Sequence, residues 1–141
     1  MAVGLGKAIR DLLLQDEPFC AYLSTYMGEK AIFTADRVPP DANMPFLMLG
    51  PPVTDEPDRI MDGESGRRTV TKDLKLYFPG NADEGPLEEA AERLRNILAD
   101  RSLTVPGFSR ARIAIVNGPI GLSADTDADG RLVSIRVHLT R

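Results

Sequence analysis

The chain has one cysteine, one histidine, no tryptophan and few other aromatic residues. With Cys20 alone no intramolecular disulfide can form, and a reducing compartment is the simplest home. Without tryptophan, and with only 6% aromatics, the core has to be built from aliphatic side chains. No apolar run approaches the roughly 20 residues of a membrane span. The start, Met1 to Lys7, lacks the basic-then-apolar layout of a signal peptide. The expectation is a soluble protein made in a cytoplasm. A positive excess is missing too. The net charge of −4 gives no electrostatic footprint for nucleic acid and no basic face for a membrane.

What the chain has is length and pattern. A chain of 141 residues is expected to form one domain, residues 1–141, burying on the order of 70% of its unfolded surface. Disulfides and metals are not needed at that size. The organising stretch runs from Pro45 to Phe78. It opens on the apolar run Pro45 to Gly50 and closes on an alternating one, in which Val70, Leu74, Leu76 and Phe78 share a face. Lys72 is the exception on that face, and Thr71, Asp73, Lys75 and Tyr77 occupy the other. Period-two alternation is what a strand with one buried face requires. Two paired strands are expected, joined by a long, mobile, charged loop from Thr54 to Arg68.

Around this hairpin the order is helix, strands, helix, strands. Leu5, Ala8, Ile9, Leu12 and Leu13 recur at helical spacing. Asp16 is placed to cap a second helix from Pro18 to about Tyr26, with Gly28 as its stop. Ala31 to Phe33 reads as a short strand, and Arg37 to Asn43 as an extended connector. Leu87, Ala90, Ala91, Leu94, Ile97 and Leu98 form one stripe on a helix that begins near Pro86, with Glu89 and Arg93 paired on its solvent side. Arg112 to Asn117 is a strand that Gly118-Pro119 bends or bulges. The last strand alternates from Leu132 to Leu139 after a turn at Asp127 to Gly130. The expected fold is α+β, a mostly antiparallel sheet with two main helices packed on one face.

Catalytic, cofactor-binding and metal-binding residues are expected to be none. Asp125, Asp127, Asp129 and Gly130 match the opening of an EF-hand loop, but the ninth and twelfth positions are Val133 and Arg136. A solvated turn is the better reading. His138 lies on the polar face of the last strand, with no nucleophile elbow in the sequence, and reads as a surface histidine. Gly4-Leu5-Gly6-Lys7 lacks the earlier glycine, the strand and the hydroxyl residue of a phosphate-binding loop. Cys20, among Phe19 and Tyr22, reads as a buried structural thiol. The long loop is the candidate for partner contact, through Asp58, Arg59, Ile60, Met61, Asp62, Glu64, Arg67 and Arg68, with an apolar pair set among charges.

Arg37-Val38-Pro39 followed by Met44-Pro45-Phe46-Leu47-Met48-Leu49-Gly50 resembles the signature segment of small tail-completion proteins of long-tailed bacteriophages. These tail terminators, or head–tail joining proteins, also occur in prophages and gene transfer agents. The similarity runs from about Leu5 to Leu139. It departs at Phe46, where a tyrosine is common, and at Tyr77-Phe78-Pro79, where a tryptophan often ends the strand. The resemblance implies a structural protein and no enzyme, needing no cofactor. It implies a ring, typically of six subunits, that caps the head-proximal end of the tail tube. Such a ring stops tube polymerisation and offers a docking surface for the head connector. The implied partners are therefore the chain itself, the tail tube protein and the connector or stopper, and the implied location is the virion tail. The alternatives are a neck adaptor or stopper and, in another class, a small ligand- or metal-binding α+β domain using Asp125, Asp127 and Asp129. A hydrolase built on His138 ranks third.

Overall fold

The computed structural model describes residues 4–34, 39, 41–60, 63–80, 84–123 and 128–141. Among these residues three helices, α1 (Leu5–Leu14), α2 (Glu17–Cys20) and α3 (Glu84–Leu98), accompany eight strands. These are β1 (Thr25–Tyr26), β2 (Glu29–Lys30), β3 (Ile32–Phe33), β4 (Phe46–Ile60), β5 (Gly63–Pro79), β6 (Ser102–Leu103), β7 (Arg110–Ser123) and β8 (Ala128–Thr140). Six of them form one sheet in the order β3-β4-β5-β8-β7-β6, antiparallel except where β3 runs parallel to β4. The fold class is the expected α+β.

Alternation decides which face is covered. Val70, Leu74, Leu76 and Phe78 of β5 are buried, as are Val133, Ile135, Val137 and Leu139 of β8. Leu47 and Leu49 of β4 and Ala111 and Ile113 of β7 lie opposite them in register and complete the inner face. Onto it α1 buries Leu5, Ile9 and Leu13, and α3 buries its whole stripe from Leu87 to Leu98. Each fully buried leucine there contributes about 1.5–3 kcal/mol. Lys72 shares this face and is only 5% exposed. Its amine lies 3.6 Å from where a Cβ on Gly6 would stand, and burial pushes its pKa down.

The Asp16 cap forms as expected, accepting the Phe19 amide at 2.9 Å. Arg93 of α3 grips the same carboxylate with Nε at 3.1 Å and Nη2 at 2.7 Å. That pairing holds the Asp16 carboxyl below the usual range against its partial burial, and it ties α2 to α3. Arg93 is thus taken by a tertiary partner rather than by Glu89, which accepts instead from the Tyr22 hydroxyl at 2.9 Å. A contact across the fold has replaced the within-helix pair, because α2 lies beside α3.

Other expectations need correction. Helix α2 stops at Cys20, and the segment after it becomes the β1–β2 hairpin. Its turn uses Met27 at φ 50 and Gly28 at φ 83, so Gly28 serves a tight turn and not a helix end. Asp129 and Gly130 lie inside the ladder opposite Ser123 and Leu122, and residues 124–127 fall outside the described set. Gly118 does sit in the irregular stretch of β7, at φ 113. A Cβ there would come within 2.4 Å of the Leu132 carbonyl oxygen, so the bulge requires glycine. Of the Arg37–Asn43 connector, residues 37, 38 and 40 lie outside the described set.

The largest correction concerns Thr54 to Arg68. This segment is not a loop. Strands β4 and β5 stay paired from Phe46↔Tyr77 out to Ile60↔Gly63, with register shifts near Pro52 and between Pro57 and Arg59. Strand β8 pairs with β5 only as far as Arg67↔Thr140, so the last rungs form a two-stranded ribbon beyond the sheet. Backbone pairing joins main-chain groups and needs no hydrophobic alternation in the side chains.

Candidate functional site

Two surfaces are left for work: the ribbon, and the sheet face that carries no helix. Asp58, Arg59 and Ile60 lie in the outgoing arm of the ribbon, and Glu64, Arg67 and Arg68 in the returning arm. Met61 and Asp62 fall outside the described residues. The register sets Arg59 opposite Glu64 and Pro57 opposite Arg68. The sequence-predicted residues are therefore gathered along one ribbon rather than spread around a loop.

The open face divides in two. At one end Tyr26, Phe33, Phe46 and Tyr77 form a continuous aromatic run, with ring centroids 5.6, 6.0 and 5.6 Å apart and edge-on or tilted contacts. Such pairs favour this geometry because of the ring quadrupole. All four rings are half-buried. Farther along, Ser134 donates to Asp73 at 2.6 Å. At the opposite end the face turns basic. Arg112 lies opposite His138, Arg136 opposite Ala114, and Arg110 opposite Thr140. Arg110, Arg112, Arg136 and His138 are all exposed.

This basic end borders an open notch of about 600 Å³, lined by Arg67, Arg68, Arg110, His138 and Thr140 among others. Among the described residues no acidic side chain lines it. Nδ1 of His138 lies 3.5 Å from the Thr69 hydroxyl, and the pair is exposed. Among the described residues no carboxylate is placed to orient the histidine in a triad. Cys20 is buried, its thiol donating to the Leu13 carbonyl at 3.3 Å, and burial raises its pKa. It is packed rather than presented. Among the described residues no three His, Cys, Asp or Glu side chains converge on a point, and Asp125 and Asp127 lie outside them.

The basic cluster escaped sequence reading, because its members come from two strands and meet only through the β7–β8 pairing. A signal existed: Arg110 and Arg112, and Arg136 and His138, are each two apart on strands, which puts each pair on one face.

Comparison with known proteins gives the surfaces a setting. Residues 7–140 match the family described as tail completion protein gp17. The chain belongs to that family. It is accordingly a structural component of a phage tail, which assembles with other phage structural proteins and is not an enzyme. Among solved structures this tail completion protein is similar to a chain from the virion of a native gene transfer agent particle. The TM-score is 0.70 at 18% identity, over 96% of this chain and 93% of that one. At that identity the likeness is one of fold. No curated protein sequence matches the chain.

Proposed function

We propose that this tail completion protein, acting as one domain over residues 1–141, forms a ring of six copies on the head-proximal end of a finished tail tube. The ring stops further polymerisation and gives the head connector a surface to dock on. The observation that carries this reading is the family match across nearly the whole chain, from 7 to 140. The architecture of the gene transfer agent virion chain supports it. Physically, a terminator needs different surfaces on one subunit. A heterologous contact whose rotation closes makes a ring, and a face that meets the tube must not be repeated on the far side.

The residues Asp58, Arg59, Ile60, Met61, Asp62, Glu64, Arg67 and Arg68 serve as partner contacts in this assembly. Before assembly the protein is held in the host cytoplasm. The test is to add purified protein to growing tail tubes and measure tube length by electron microscopy. Tubes of fixed length, each with a ring at one end, are the expected result. Tubes that grow on unaltered beside a strictly monomeric protein would reject the reading. Replacing residues 60–66 by a two-residue turn should leave the melting transition in place and weaken docking.

A further inference from the structure

Besides the ribbon and the open face, a third place is set for contact, on the helical side of the sheet at the start of α1. Lys72 holds an inward position of β5, opposite Ile135 of β8, whose own partner on β7 is Ile115. An apolar side chain would serve the fold there. The Lys72 amine instead lies 3.6 Å from the point where a Cβ on Gly6 would stand, with Thr34 at 3.9 Å from the same point. The residue is only 5% exposed, and among the described residues no acceptor lies within hydrogen-bond reach of the amine. A buried polar group in this state costs the fold, and an anion from outside would offset that cost.

The first turn of α1 has the same need. Gly4 caps it without a side-chain hydrogen bond, and no acidic residue stands in that turn. Among the described residues, the partial positive charge of the helix start is therefore met by no carboxylate. A helix start alone would not make a site. Here a buried amine lies against the same turn, and Gly6 has no side chain to cover it.

Thr34 and Lys7 also line an open cleft of about 520 Å³ between α1, the β1–β2 hairpin and β3. Tyr26, Met27 and Phe33 give the cleft an apolar wall, and Met27 is 87% exposed. Glu29 in the cleft is held by Arg10 at 3.0 Å, which leaves Lys7 and Lys30 as an excess of positive charge.

We propose that this cleft receives an acidic segment of a neighbouring protein in the particle, one of whose carboxylates passes Gly6 to reach the Lys72 amine. An apolar residue beside that carboxylate rests on Met27 and Phe33. The ammonium and the start of α1 then face one anion, a charge-assisted contact stronger than a neutral hydrogen bond. Burial alone disfavours the ammonium, and the carboxylate restores it. A phosphate chain fits less well, because the cleft is partly apolar and its deepest cation is sunk below the surface. The inference goes beyond the ring reading, since the neighbour is defined by its chemistry and the test needs no tail tube.

The experiment titrates the isotope-labelled chain with a short blocked peptide, a glutamate between leucines, and follows the amide resonances. Those of Gly6, Lys7 and Thr34 should shift and saturate, while those of Arg112 and Arg136 stay in place. A peptide with glutamine for the glutamate should bind about tenfold more weakly or worse. Lys72→Met should weaken the glutamate peptide by a similar factor, about tenfold or more, with a melting temperature no lower than that of the wild type. A lysine kept only for packing would leave the affinity unchanged. Gly6→Leu has room for its Cβ at ordinary contact distance and should also lose binding, because its side chain covers the amine.

Equal affinity for the two peptides, or of the wild type and Lys72→Met for the glutamate peptide, would overturn the proposal. So would the lack of a saturable shift up to about 10 mM peptide. Shifts confined to the basic end of the open face would overturn it as well. Inorganic phosphate acting on the same amides at lower concentration than the peptide would give the site to a small anion, against the proposal. Tubes that grow on uncapped while the peptide still binds would reject the ring reading alone and leave this site standing.

Discussion

Along β5, Val70, Leu74, Leu76 and Phe78 lie buried beneath α1 and α3. Thr69, Thr71, Asp73, Lys75 and Tyr77, each one residue away, stay partly exposed on the other side. One backbone therefore serves two purposes at a period of two. The inner face is closed, apolar and tied to stability. The open face runs from aromatic to basic and is spare as far as folding is concerned. Lys72 crosses that division, a polar group placed on the closed side.

Substitutions can press on this contrast, beginning with the largest effect. Leu74→Ala, at a position with no exposure, should cost about 2–5 kcal/mol in urea unfolding. A loss below about 1 kcal/mol would mean that the inner face is not a packed core. Gly118→Ala forces a side chain against the β8 backbone at a positive φ and should cost about 1–3 kcal/mol. It should also shift the β7–β8 amide resonances without moving those of α1.

Lys72→Met should stabilise the protein by about 1 kcal/mol at neutral pH, because an ammonium is no longer taken out of water. The wild type should then show a pH dependence that the variant lacks. Between the lowered folded pKa of Lys72 and the ordinary lysine value, the unfolded chain holds a proton that the native chain has released. Native stability must rise with pH across that window. A flat difference between the two proteins there would show that the amine reaches water after all. Smallest of all, Arg136→Gln on the open face should change the unfolding free energy by less than about 0.5 kcal/mol. A larger loss would mean that the open face also supports the fold.

The closed face was legible in the sequence and the open face much less so, for one physical reason. Burial imposes a repeating apolar signal, which marked β5, β8 and the stripe of α3 residue by residue. In 54–68 the sequence carries no such alternation, and Pro57 among several charges mimics a loop. The truncated α2 and the β1–β2 hairpin were missed because Phe19, Tyr22 and Leu23 satisfy a helical stripe over too few residues to exclude a turn. The Asp129-Gly130 turn signal was overridden by the ladder, which continues through it. The residues expected to meet partners are contiguous and could be named from the chain alone, while the arginine patch depended on strand order that no local pattern reveals.

Pro51, Pro52 and Pro57 lie along β4, which past Met48 has no second strand beside it among the described residues. Proline cannot donate an amide hydrogen, so this margin is a poor template for an incoming chain. Crowded copies of the subunit are thereby steered away from stacking edge to edge into fibrils. Contact along this margin is left largely to side chains, which meet and part more readily than the rungs of a ladder.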